Sequence, residues 1–365
     1  MKPIEVQPQK QFELELLGYQ ERVQNAVDVY SSQLMGEAEE YGEFISLPVE
    51  ACADILTTKA KRIRGILTIV GYEMLGGQDR EMIDVASAAM EALQTYLVVI
   101  DDMQDQSEER RGSTPAHIFV EEELLANTTK QLGSLPEDVT INGALIMNHH
   151  ALLAIGTLPN VPALAKLRAS NTINAAMLPT GYGQTGDLLA PVIGDISDAD
   201  ANRANGDKTK HYTFRAPLET GMYLAGGSTE DIGDIQIFAE NLGEAYQLRN
   251  DLEVVDTTVD GVDRGDDIRS GKRTLLLHHA LSSDSNLTEE QKSYLAQIVG
   301  SIDLTPREVL RCQLLLYESG AKDVVEETIE YKTKIALESL EKKQNSNWRE
   351  EQRTFLMQLG RQAVA

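Results

Sequence analysis

Apolar residues in this chain recur at the three- to four-residue spacing of helices. From Phe12 onward, Leu14, Leu16, Leu17, Val23, Val27 and Val29 broadly follow that spacing, and strand-type runs are sparse. Ile66 to Leu75 is predicted as an apolar helix ended by Gly76 and Gly77. A second apolar helix starts near Glu91 and runs through Leu97, Val98, Val99 and Ile100 into a group of carboxylates. The stretch from His117 to Asn142 is polar and turn-rich around Gly133 and Pro136, so a surface excursion is expected before a helix over Ala144–Ile155. No convincing β-hairpin signal or fixed-period repeat is present. The expected organisation is a flexible N-terminal arm over residues 1–11, polar and holding Pro3 and Pro8, then one all-α domain over 12–365.

Composition narrows the function. A chain of 365 residues, 42% hydrophobic and 25% charged, has the balance of a soluble globular protein with a substantial core. Its formal charge of −25 argues against nucleic acid or an anionic membrane as the main partner. Anionic substrates must therefore be drawn in by local cations. Cys52 and Cys312 give no disulfide framework and fit a reducing compartment. The N-terminal residues lack the basic and apolar regions of a signal peptide, and no apolar run is expected to span a bilayer. A cytoplasmic protein without a membrane anchor is expected.

The candidate chemistry sits where the second apolar helix ends. Asp101 and Asp105 stand one helical turn apart with Asp102 beside them, and carboxylates that close repel one another unless a cation intervenes. Hard oxygen ligands grouped in one turn suit magnesium that also binds substrate phosphates. Arg110 and Arg111 follow, two guanidiniums suited to bidentate phosphate contacts. Lys59, Lys61, Arg62 and Arg64 form a second, isolated basic run beside a buried helix, which favours an anion site. His149 and His150 lack a further ligand at metal-binding spacing and are expected to be packing or surface groups.

The run from Asp101 to Asp105, followed by Arg110, Arg111 and Gly112, resembles the first aspartate-rich motif of the trans-isoprenyl diphosphate synthases (polyprenyl synthases). His117 falls where that family often has a histidine. Lys61 and Arg64 match the basic positions of the family's GKxxRP-type motif for the diphosphate of isopentenyl diphosphate, with Gly65 in place of the usual proline. Gln94 stands where the family has His or Gln as a further ligand of that diphosphate. The segment from Thr180 to Leu188 is similar to the GQxxDL segment, and Lys208 and Thr209 to the Lys-Thr helix that contacts the allylic diphosphate. Leu242, Gly243 and Gln247 match the lead-in to the second aspartate-rich motif. The motif itself is degenerate, with Asn250, Asp251 and Val254 in its positions and Glu253 and Asp256 nearby. Lys272 lies in a loop that resembles the family's Asp…Gly-Lys-x-Thr segment.

The resemblance implies an all-α, isoprenoid-synthase-like bundle of long helices around a deep central cavity, usually a homodimer. It implies condensation of isopentenyl diphosphate with an allylic diphosphate to a short-chain, farnesyl or geranylgeranyl, product. Magnesium held by Asp101, Asp105 and Asp251, with Arg110, Lys208 and Lys272, would stabilise the leaving diphosphate, and Asp102 belongs to the same catalytic group. Lys61, Arg64, Gln94, Arg111, Thr209 and Gln247 would bind substrate. Tyr96 and Leu97, on the helix leading into Asp101, would set chain length. The degenerate second motif keeps two alternatives open: a terpene cyclase or unusual coupling enzyme, and a non-catalytic subunit of a heteromeric synthase.

Overall fold

A computed structural model describes residues 8–110, 112–189, 192–193, 206, 210–255, 265–301, 303–342 and 347–364. The described residues are predominantly helical, and among them the only β-type pairing is an isolated bridge between Arg110 and Ser113. The chain divides into two compact units.

The first unit comprises residues 1–172, 217–228 and 348–352. It contains α1 (Pro8–Glu39), α2 (Glu43–Thr57), α3 (Ile63–Met74), α4 (Arg80–Gln104), α5 (Ala116–Asn127), α6 (Leu135–Gly156) and the start of α7 (Ala163–Leu189), together with α8 (Ala216–Leu224) from Pro217 on. Helix α4 is its centre, packing on α1, α3 and most extensively on α6. Asp79 caps α4 by accepting a hydrogen bond from the Met82 N–H at 3.1 Å. Met82, Ile83, Ala86, Ala89, Met90 and Leu93 then fall on one buried stripe. The alanines Ala86, Ala88, Ala89 and Ala92 are small enough to let neighbouring helices close on this one. By length and composition α4 could cross a membrane, contrary to the expectation from sequence, but most of its apolar window is buried inside the protein.

The second unit comprises residues 173–216, 229–347 and 353–365. It holds the rest of α7, a π-helical turn at His211–Arg215, α9 (Thr229–Leu252), α10 (Leu275–Leu281), α11 (Glu289–Ile298), α12 (Pro306–Glu318), α13 (Ala321–Leu340) and α14 (Glu350–Ala363) from Arg353 on. Its backbone pair is α9 against α13. Thr288 with Gln291 and Thr305 with Glu308 form reciprocal capping boxes that start α11 and α12, the latter with Pro306 in its first turn. Leu252, Val254, Val255, Ile268, Leu276, Cys312 and Leu316 belong to one apolar core. Both Cys52 and Cys312 are free and buried.

Several sequence expectations shift. Helix α1 already includes Pro8 to Gln11, part of the stretch assigned to the arm. The expected excursion after His117 begins instead as helix α5, because Ala116 and Val120 find buried positions. Helix α6 starts at Leu135 and not at Ala144, with Pro136 in its first turn and Glu137 and Asp138 at its positive end. The glycine-rich run from Thr180 to Leu188, similar to the GQxxDL segment, forms the end of α7.

Candidate functional site

In the first unit, α4 ends at Gln104 and carries Asp101 and Asp102 in its last turn, with Asp105 as its C-cap. That end of a helix is its negative pole, and α4 has no basic residue in its last turn. Carboxylates there gain stability only from cations brought in from elsewhere. Arg110 is one. Its Nε donates to Asp102 Oδ1 at 2.7 Å, its Nη2 meets the same oxygen, and Asp101 Oδ2 lies 3.8 Å away. Burial opposes the charge on Arg110, but Asp102, Asp101 and Asp105 together raise its pKa. The turn carrying Arg110 is closed by paired backbone bonds with Ser113, and Gly112 occupies a left-handed φ of 78° that a side chain would strain.

Helical geometry separates the carboxylates that the sequence grouped together. Asp101 is half-buried and Asp105 exposed, whereas the side chain of Asp102 is only 1% exposed and turned to Arg110. The buried Asp102 Oδ2 has no hydrogen-bond partner among the described residues. Among those residues no three His, Cys, Asp or Glu side chains converge on one point. Asp101 and Asp105 nevertheless fit magnesium: two hard oxygen donors at a negative helix end, for an ion that completes its shell with water and phosphate oxygens.

The basic run lies at the start of α3. Lys61 is exposed and Arg64 half-buried. Arg62, between them, is buried. About two turns before Asp101, α4 presents Gln94, half-buried, with Oε1 shielded from solvent and without a partner among the described residues. Tyr96 and Leu97 are half-buried further along the same helix. His117 is half-buried, and its Nδ1 is likewise buried without a described partner. His150 packs edge-on against Tyr30, 2.6 Å from its hydroxyl, while the exposed His149 bonds the Leu145 carbonyl of its own helix, so one is a packing group and the other a surface group.

The second unit assembles a separate charged group. Gln247 Nε2 donates to Asp251 Oδ1 at 2.9 Å, and Asp251 is buried near the C-terminal end of α9. Lys272 reaches Asp267 at 3.4 Å and Asp251 at 3.9 Å. Burial opposes its charge, but Asp267, Asp251 and Asp187 outweigh that and raise its pKa. Asn250 is exposed, as is Glu253, while Val254 has turned into the apolar core. Arg111, Lys208, Thr209 and Asp256 lie outside the described residues.

In the sequence Arg62 reads only as one cation of a basic run, Asp187 and Asp267 stand only inside family-like segments, and Glu91 has no assigned role. Glu91 carried a signal, a carboxylate within an otherwise apolar helical stretch, and buried charges of that kind need partners.

The family profile of the polyprenyl synthetases (Polyprenyl synthetase) matches residues 47–313, and the chain belongs to that family. It is a prenyl transferase of isoprenoid biosynthesis with the family's helical fold. A geranylgeranyl diphosphate synthase of Sulfolobus acidocaldarius is 25% identical over 80% of this chain and 81% of its own length. A short chain isoprenyl diphosphate synthase of Methanothermobacter thermautotrophicus is 28% identical over 70% of this chain and 72% of its own. Among solved structures, a geranylgeranyl pyrophosphate synthase from Corynebacterium glutamicum, complexed with isoprenyl diphosphate and magnesium, superposes with a TM-score of 0.81 at 26% identity. It covers 95% of this chain and 98% of its own.

Proposed function

We propose that the protein condenses isopentenyl diphosphate with an allylic diphosphate to a short-chain prenyl diphosphate, in the cytoplasm and as a homodimer. The observation that supports this reading best is the end of α4, where Asp101 and Asp105 remain accessible while Asp102 holds Arg110. Asp101 and Asp105 of the first unit, and Asp251 of the second, are each proposed as magnesium ligands. When bound, the metal would neutralise the allylic diphosphate and favour its departure. Arg110, already charged and anchored, contributes hydrogen bonds to the same leaving group, and Lys272 contributes a fixed cation. Lys208 and Thr209 are assigned to the allylic diphosphate and Gln247 to the positioning of Asp251, with Lys61, Arg64, Gln94 and Arg111 assigned to isopentenyl diphosphate. The apolar wall of α4 keeps water from the developing carbocation, and Tyr96 and Leu97 limit the growing chain. The relatives include geranylgeranyl, geranylfarnesyl and octaprenyl diphosphate synthases, and the product proposed here is at the short end.

A cyclase reading rests on Asn250 and Asp251, which begin like an Asn/Asp-rich metal motif; Val254, buried in the core, breaks it. Lys61, Arg64 and Gln94 also serve no purpose in an enzyme that binds no isopentenyl diphosphate. The test is product identification after incubation with magnesium, isopentenyl diphosphate and geranyl or farnesyl diphosphate. A lengthened linear diphosphate supports the proposal. Hydrocarbon products from the allylic substrate alone would replace it with cyclisation, and no turnover without a second subunit would make the chain a binding partner.

A further inference from the structure

Resting on the substrate assignment just proposed, the geometry points to Glu91 and Arg62 as a buried clamp that positions the diphosphate-binding residues Lys61 and Arg64 against Gln94. Arg62 caps the start of α3 in a left-handed conformation with φ of 54°. A non-glycine residue holds that conformation only where its surroundings over-determine it. Here they do. Its guanidinium donates to the carbonyls of Leu56 at 2.8 Å and Thr58 at 2.9 Å, twice to Gln24 Oε1 at 3.0 and 2.8 Å, and to Glu91 Oε2 at 3.4 Å. Arg62 therefore faces inward, which leaves its neighbours Lys61 exposed and Arg64 half-buried.

Glu91 makes the other half of the clamp. Its Oε1 accepts the Gly65 N–H at 2.8 Å while Oε2 faces Arg62, so one buried carboxylate on α4 ties down both ends of the Arg62–Gly65 turn. The bond depends on the departure from the family pattern noted at Gly65, because a proline there has no N–H to give. Gly65 is also required sterically: a Cβ would sit 2.5 Å from Val23 Cγ1 and 2.8 Å from Ser87 Oγ. Glu91 stands just one turn before Gln94 on α4, so the same helix sets the positions of the basic turn and of the amide. Neither Glu91 nor Arg62 need touch substrate; each acts through Lys61, Arg64 and Gln94.

The test compares wild-type, Glu91→Gln and Glu91→Ala full-length protein by calorimetric titration with isopentenyl diphosphate, by kinetics with each substrate varied in turn, and by melting temperature. Positioning errors near 1 Å can cost roughly 100-fold. Glu91→Ala is expected to weaken isopentenyl diphosphate, in both Kd and KM, by about tenfold within that limit. Glu91→Gln should lose less, because its amide oxygen still accepts the Gly65 N–H. The KM for the allylic diphosphate should stay within about twofold. Should Glu91→Ala fail to fold, the isosteric Glu91→Gln carries the test. A lowered melting temperature with unchanged isopentenyl diphosphate affinity would overturn the inference, as would equal losses for both substrates. A wild type that binds isopentenyl diphosphate without condensing it would remove the proposed reaction while leaving the clamp standing.

Discussion

Replacing Arg110 by Gln removes the cation from Asp102 while keeping a side chain of similar reach. Asp102 is 1% exposed and its second oxygen has no described partner, so the carboxylate would be left charged and buried. Breaking a buried pair from one side costs about 3–5 kcal/mol. Arg110 is itself 27% exposed, so water can enter the vacated space, and about 2 kcal/mol is the expected loss of stability. Asp102→Asn alone should cost less, since a neutral amide buried beside Arg110 still accepts one hydrogen bond. The double variant should recover part of the Arg110→Gln loss, giving a coupling energy of about 1–3 kcal/mol. Urea unfolding of the four proteins measures the cycle. If Arg110→Gln unfolds at the wild-type urea concentration, or if the two single losses simply add, Asp102 is not held by Arg110 and the architecture at the end of α4 has been misread.

Asp101→Ala and Asp105→Ala should each lower turnover by about 100-fold or more with little change in melting temperature, because both side chains are accessible; steady-state rates and thermal melts check this. Tyr96→Ala should lengthen the products, seen by chromatography of the dephosphorylated alcohols; an unchanged distribution would place the chain-length floor elsewhere. Asn250→Asp adds a carboxylate beside Asp251 and should lower the magnesium needed for half-maximal rate; an unaltered magnesium dependence would remove this position from metal binding. Lys272, its pKa raised in the folded state, contributes stability fully below the unfolded lysine pKa of about 10.4 and loses it only as pH climbs through the folded value. The stability difference between wild type and Lys272→Met should therefore be flat across neutral pH, as denaturation at several pH values would show.

The helical class and the position of the acidic group were legible because each depends on local spacing. The stripe on α4 is a period of hydrophobicity, and Asp101 and Asp105 fall one turn apart in any helix. What spacing could not say was which acid turns inward. Asp102 is fixed by Arg110, which reaches it only because the chain turns after α4, with Gln106 in a left-handed conformation and the Ser107 N–H bonded to the Asp102 carbonyl. Arg62 looked like one more cation in a basic run, and its burial follows from carbonyls of Leu56 and Thr58 and from Glu91, none of which a charge count registers. Lys272 was legible by resemblance, but its bond to Asp267 depends on the tight turn through Gly271 that brings the loop back on itself. The start of α6 was missed because a proline and two acids look like a loop until they are recognised as a helix's first turn.

On the proposed reading, Asp101 and Asp105 serve magnesium-dependent transfer of a prenyl group to isopentenyl diphosphate. The most direct measurement is the incorporation of isotopically labelled isopentenyl diphosphate into an extended allylic diphosphate, for wild type and Asp105→Ala, with magnesium and with a chelator. Label should enter a linear product in the wild type with magnesium only, and at about 1% of that rate or less in Asp105→Ala. Incorporation that survives the chelator or the substitution, or an absence of label in any product of the wild type, would contradict it.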